Sequence, residues 1–505
     1  MDVNLKGRMK RLAPVFLLSM ASTVHAESVP QSGLEYLSVE ELGNRMQRGQ
    51  LDAVTLVQYL QQRIDALDKN GPAINSIIEL NPDAQVIAQS LDLERQQGRV
   101  RSPLHGIPVL LKDNIDTSDQ MQTSAGSLAM VGIPAAQDAY IVQRLRAAGA
   151  VILGKTNLSE WAHFRDIEIP SGWSGRGGQT KNPHVLSETP CGSSSGSGAA
   201  VAAGFATLTV GTETSGSIVC PASLNGVVGL KPTVGLLSRS GIIAATHKLD
   251  TPGPMARTVR DAALLLNAMT GNDKTDPAQP PLALKGLDYT AALLPGSLVG
   301  KRIGFPVEFD TGGEAADSDP QFSKALEVMQ AAGATLVPVD LKDPESARVG
   351  EGFAMGLKHH LPAYLATRTG LAVSSLEELL QFNIRKPGKE GYGQSILSEA
   401  QAVAFDEAAY NALWQYIQSE NAAAIDAVLT THKLDGVVSD VGSAGMNVIP
   451  LAGYPAIMVP SGMDDSGLPT SVFFYGPRWS EASLLALAYG YEQASQERRE
   501  PGFKP

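Results

Sequence analysis

Two cysteines in 505 residues, Cys191 and Cys220, are too few for a disulfide-built scaffold. Neither has a CxxC partner, so no zinc site and no other metal is expected. A lone cysteine in an apolar stretch usually stays a buried thiol. Free thiols are therefore the expectation, although an exported chain could pair the two. An excess of positive charge is also missing. The net charge of −12 argues against a surface that tracks phosphates, so nucleic acid is not an expected partner. Beyond residue 26 no apolar run is long enough for a transmembrane helix, and no membrane partner is expected for the mature chain.

What is present begins at the N-terminus. Lys6, Arg8, Lys10 and Arg11 precede an apolar run from Leu12 to Met20 and then Val24-His25-Ala26. A basic start, a short apolar stretch and a small residue before the cut predict a secretory signal peptide over 1–26. The mature protein, 27–505, is then expected to be periplasmic or secreted.

Ser38 to Glu41 has capping-box spacing and opens a helix carrying Leu42 and Met46. Leu56, Leu60, Ile64 and Leu67 mark a second helix. Val109-Leu110-Leu111 reads as a buried strand ending in Lys112-Asp113-Asn114. A helix over Tyr140–Ala148 and a strand over Ala150–Leu153 follow. Later helices are expected over Ala262–Met269, Phe322–Ala332 and Glu481–Gln493. Strands are expected over Lys301–Phe305, Thr335–Val339, Ala456–Val459 and Val472–Tyr475, with Pro338 favouring an edge position for the second. Residues 343–435 read as mostly helical. The alternation predicts an α/β fold with a largely covered sheet in one large domain.

Residues 188–241 are rich in Gly, Ser and Thr. Two stretches stand out, Cys191-Gly192-Ser193-Ser194-Ser195-Gly196-Ser197 and Gly211-Thr212-Glu213-Thr214-Ser215-Gly216-Ser217-Ile218. A serine in such a turn exposes its hydroxyl beside uncovered backbone N–H groups, which a tetrahedral oxyanion needs. A Gly/Ser-rich loop can equally be only a turn. A serine nucleophile requires a base, and neither His184 nor His247 has a local frame that suggests one. Gly192 to Gly196 formally matches G-x-S-x-G, but that elbow needs a preceding strand, and Asn182 to Pro190 is not one. Lys112 is the other possible base, provided burial lowers its pKa; a lysine at a strand end can also simply reach for solvent.

Together these motifs resemble the amidase signature family over roughly residues 35–495. The upstream Lys-Asp-Asn, the Gly-Ser-Ser stretch and the second Gly-Ser motif with its following Pro221 stand in order. Supporting matches are His105-Gly106-Ile107-Pro108, Ser124-Ala125-Gly126-Ser127, Gly154-Lys155-Thr156-Asn157, Gly229-Leu230-Lys231-Pro232, Gly453-Tyr454-Pro455 and Trp479-Ser480-Glu481. The resemblance implies a large mixed β-sheet covered by helices on both faces. It implies Ser217 as nucleophile, Ser193 as a bridging serine after a cis peptide bond, and Lys112 as base. Thr214, Ser215 and Gly216 would serve the oxyanion and substrate, with no cofactor. Many members have Arg at the position of Val219 and Gly at that of Ser215. Other features look most like bacterial peptide amidases, though those usually carry Asp where Ser215 stands. The expected activity is hydrolysis of carboxamide C–N bonds through an acyl-enzyme, with a small-molecule or peptide amide as substrate and C-terminal peptide amides foremost. Aryl, aliphatic or cyclic amides are the alternative, and a catalytically silent periplasmic binding protein on the same scaffold is the second.

Overall fold

The computed structural model describes residues 1, 33–307, 319–344, 347–388 and 390–505. Apart from Met1, the expected leader lies outside them. The strands in chain order are β1 (Ile77–Leu80), β2 (Pro108–Lys112), β3 (Val151–Thr156), β4 (Trp173–Ser174), β5 (Gly178–Gln179), β6 (Leu208–Glu213), β7 (Val228–Lys231), β8 (Thr251–Ala256), β9 (Arg302–Pro306), β10 (Thr335–Val339), β11 (Gly436–Ser439), β12 (Ala456–Met463) and β13 (Pro469–Tyr475). Eleven of them form one sheet in the order β1-β3-β2-β6-β8-β7-β12-β13-β11-β9-β10, while β4 and β5 make a separate hairpin. The sheet is mixed: β3, β2 and β6 run parallel, as do β11, β9 and β10, and the strands between these groups pair antiparallel.

Both faces of the sheet are buried. Successive side chains of a strand point to opposite faces. Ile457, Val459, Val472 and Phe474 join one apolar cluster, and their neighbours Ala456, Met458, Phe473 and Tyr475 join another. The first cluster is closed by helices that include Val39–Gln47, Ala53–Ile64, Val259–Met269 and Glu481–Ser495. The second is closed by Val219–Leu224, Glu407–His432 and Gly445–Ala452. Ser38 caps the first helix in a complete capping box with Glu41. The strand ending in Lys112, the strand after Ala150, the edge position of β10 and the helical character of 343–435 match the sequence reading.

Several elements are not legible in sequence. β8 carries Pro252 and Pro254 yet lies inside the sheet, where proline is disfavoured. Both prolines stand opposite β6 residues, Pro252↔Thr212 and Pro254↔Val210, but they lie beyond the ladder to β7, which is confined to Val228↔Ala256 and Gly229↔Met255. Ser195–Ala202 (SGSGAAVA) forms a helix with every residue buried. Its small side chains let it press backbone to backbone against the sheet. A Cβ on Gly196 would lie 2.4 Å from the Ser76 carbonyl oxygen and 2.5 Å from that of Asn157. Neither oxygen belongs to a flexible side chain. Gly196→Ala is therefore expected to cost about 3 kcal/mol or more, read as a lowered urea midpoint or loss of soluble protein.

Candidate active site

Three chain segments converge at the end of the parallel strands. β2 ends at Lys112, whose side chain is fully buried. Its Nζ lies 2.8 Å from Ser193 Oγ, 3.0 Å from Ser194 Oγ and 3.0 Å from the Thr212 carbonyl oxygen. Lys112 forms no ion pair among the described residues. Burial without a contacting carboxylate lowers its pKa to about 7, against a partial opposing pull from Glu213 and Asp250. An ammonium would donate to all three neighbours. A neutral amine has two donors and a lone pair, so it can accept a proton from a serine hydroxyl.

The second segment carries Ser193 and Ser194 immediately before the buried helix. The Gly192–Ser193 peptide is cis, and Cys191 has φ +52°. Ser159 N–H donates to the Ser193 carbonyl at 3.1 Å. Ser194 Oγ accepts from Thr212 N–H and lies 3.0 Å from the Thr212 carbonyl, fixing this segment to the end of β6. The third segment runs from β6 through Thr214, Ser215 and Gly216 to Ser217, just before the helix Val219–Leu224. Gly216 has φ +76°, the left-handed conformation glycine adopts freely. Ser194 N–H donates to the Ser217 carbonyl at 3.1 Å, joining the two serine segments directly. Among the described residues the Ser217 hydroxyl makes no hydrogen bond, and the N–H groups of Ser215, Gly216 and Ser217 have no protein acceptor. Ser217 is 7% exposed and Ser193 1%, while Ser215 is exposed.

Further groups join the site. Glu213 Oε2 accepts from Ile218 N–H at 2.7 Å and Val219 N–H at 3.1 Å, capping the helix that begins behind Ser217. Thr214 Oγ1 donates to Asp250 at 2.6 Å, and Asp250 is pushed up to about 6 by burial. Asn114 Nδ2 donates to Thr212 Oγ1 at 3.0 Å. Beside them lies a cavity of about 10 Å³ with apolar walls from Ala162, Ile243, Ala244 and Ala245. The sequence points to no role for Ser194, Glu213 or Asp250. The first two stand in the Gly/Ser motifs already marked, whereas nothing local singles out Asp250.

Cys191 and Cys220 are paired in a disulfide, with Cα atoms 5.9 Å apart, which corrects the expectation of free thiols. The chain folds back so that the segments two residues before Ser193 and three after Ser217 meet, a proximity that a sequence separation of 29 conceals. His184 is buried and His247 half-buried, desolvation holds both at about 4, and neither is bonded to a site serine. Among the described residues no cluster of His, Cys, Asp or Glu is placed to hold a metal ion. No helix among them is long and apolar enough to cross a membrane.

The comparisons with known proteins define the class first: an amide hydrolase. A family model described as Amidase matches residues 55–485. A probable amidase of Arabidopsis thaliana is 36% identical over 507 residues, covering 97% of this chain and 96% of its own. The chain belongs to the amidase signature family and is an amidase. Within the family it resembles peptide amidases. The native peptide amidase of Stenotrophomonas maltophilia superposes with a TM-score of 0.86 at 45% identity, covering 94% of this chain and 100% of that one. A peptide amidase in complex with the competitive inhibitor chymostatin gives 0.84 at 44% identity, with the same coverage.

The buried lysine has a consequence for stability. Its pKa is lowered on folding, so between about pH 7 and its ordinary value of 10.5 the unfolded chain binds more protons than the native one. Stability from this group therefore rises with pH across that window, and the penalty is full below it. Compared with Lys112→Met, the wild type should gain roughly 2–3 kcal/mol between pH 7 and 9.5 in urea denaturation. Parallel profiles for the two proteins would contradict a native-state lysine neutralised near pH 7.

Proposed function

We propose that this amidase is exported and removes ammonia from C-terminally amidated peptides through Ser217, Ser193 and Lys112. The observation that carries the mechanism is the fully buried Lys112 amine, in contact with the Ser193 hydroxyl and without an ion-pair partner. The likeness to peptide amidases supports the substrate class. Export rests on the basic and apolar leader.

In this mechanism Ser217 Oγ attacks the amide carbonyl. Its proton passes to Ser193 as the Ser193 proton passes to neutral Lys112. Catalytic hydrogen bonds commonly tighten only in the Michaelis complex, and the Ser217–Ser193 link is of that kind. The oxyanion takes hydrogen bonds from the unpaired N–H groups of the Thr214–Ser217 turn. Lys112 returns the proton through Ser193 to the departing nitrogen, and ammonia leaves. Water then attacks the Ser217 ester by the same relay and releases the carboxylate. Glu213 holds the start of the helix behind Ser217, and Asp250 holds Thr214.

The expected result is ammonia release from an amidated dipeptide, with kcat/KM lowered at least ~10³-fold in both Ser217→Ala and Lys112→Ala. The base acts as the free amine, so the wild-type rate should climb as pH rises through about 7 and then level off. Undiminished turnover by Ser217→Ala would sink the mechanism. Turnover of aryl or aliphatic amides with none of peptide amides would keep the mechanism and replace the substrate.

A further inference from the structure

The segment 189–194, which delivers Ser193, runs beside the segment 217–224, which begins at Ser217. Four ties cross between them. Ser194 N–H donates to the Ser217 carbonyl at 3.1 Å. Cys191 is bonded to Cys220. The Asn225 amide donates to both the Pro190 carbonyl at 2.8 Å and the Pro221 carbonyl at 2.7 Å. The Asn182 amide donates to both the Thr189 carbonyl at 3.1 Å and the Leu224 carbonyl at 2.8 Å. The positions joined are 194 to 217, 191 to 220, 190 to 221 and 189 to 224, an antiparallel ladder built largely from side chains. Asn182 and Asn225 are fully buried, and Asn225 Nδ2 is shared between the two segments.

We infer that this ladder, with the Cys191–Cys220 disulfide as its covalent rung and Asn225 and Asn182 as its outer rungs, positions Ser217 against Ser193 for catalysis. The inference rests on the Ser217–Ser193–Lys112 reading. Lys112 and Ser193 are joined to each other and, through Ser194, to the end of β6 by bonds outside the ladder. Ser217 has no such side-chain anchor. Its distance from Ser193 depends on the backbone bond next to it, on the Glu213 cap of the helix that follows and on the ties behind it. A displacement of about 1 Å at a reacting atom is enough for a 100-fold loss of rate. The four residues are positioning residues, since none of them touches the reacting atoms.

The test compares wild type, the double variant Cys191→Ser/Cys220→Ser, and Asn225→Ala, with ammonia release from an amidated dipeptide measured well below each melting temperature. Positioning predicts that kcat falls about 10- to 100-fold in the double variant while KM changes less than about threefold. The midpoint of the pH–rate profile should stay where Lys112 sets it, because the lysine keeps its contacts. Asn225→Ala should show the same split with the disulfide intact. A lower Tm with kcat unchanged in both variants would overturn the inference and leave the disulfide as a stabiliser only. If the double variant does not fold, the folded wild type is treated with a small dithiol. The dithiol gives up two electrons and two protons, the Cys191–Cys220 bond breaks to two thiols, and the reagent closes to its own cyclic disulfide. Loss of kcat that returns on reoxidation supports positioning, and full activity with both thiols open to alkylation overturns it. Failure here is distinct from failure of the mechanism, which is read from Ser217→Ala.

Discussion

The amine of Lys112 is buried among hydroxyl and carbonyl oxygens with no carboxylate in contact, and the centre of the molecule is arranged around that fact. An ammonium in such a place is penalised by desolvation, so the proton is held loosely near neutrality. Keeping it so requires dry walls on every side. The parallel strands supply one wall. The helix Ser195–Ala202 supplies another, and it fits only because its residues are small. The glycine and serine content that marks residues 188–241 thus serves packing as much as chemistry. A larger side chain there would lift the helix from the sheet and let water reach the lysine.

Most of what was legible in the sequence was local. The capping box at Ser38, the apolar strand before Lys112 and the long helices of 343–435 each follow from a pattern a few residues long. The proposed catalytic set is legible only as a set of motifs, because no single one of its residues departs from a plain structural role. What could not be read was long-range. Pro252 and Pro254 argue against a strand until the short reach of β7 is known. The pairing of Cys191 with Cys220 depends on a fold-back across a buried helix and a strand. Asp250 has no motif around it, yet it meets Thr214 across 36 residues.

The remaining family motifs meet one another more than they meet the site. Lys231 donates to the Tyr454 carbonyl at 2.6 Å, joining Gly229–Pro232 to Gly453–Pro455. Thr233 N–H donates to Glu481 at 2.7 Å, and Trp479 N–H to Thr233 Oγ1 at 3.0 Å. Asp113, buried behind Lys112, takes the Gly126 N–H at 3.2 Å and holds the turn Ser124–Ser127. Lys155 donates to the Ile115 carbonyl at 2.5 Å and to Thr123 Oγ1 at 3.0 Å. These are joints between distant parts of the chain, which is why they surround the sheet rather than the serines.

Among the described residues three lysines are wholly buried, and burial lowers the pKa of each. A depressed lysine is therefore not in itself a mark of catalysis here. The contacts distinguish them. Lys231 faces only the carbonyls of Pro232 and Tyr454, which cannot surrender a proton. Lys155 faces a carbonyl and the threonine hydroxyl of Thr123, and the nearby charges of Asp113 and Asp116 pull its pKa back upward. Of the three, Lys112 alone touches two serine hydroxyls, both of them on the segment tied to Ser217. Glu213 adds a gradation: its charge raises the pKa of both Lys112 and Lys231, while its other task is to cap the helix behind Ser217. One carboxylate thus links the proton affinity of the buried amine to the placement of the serine it would serve under the proposed mechanism. Moving or neutralising it would alter both at once, so the two properties are coupled by construction rather than tuned apart.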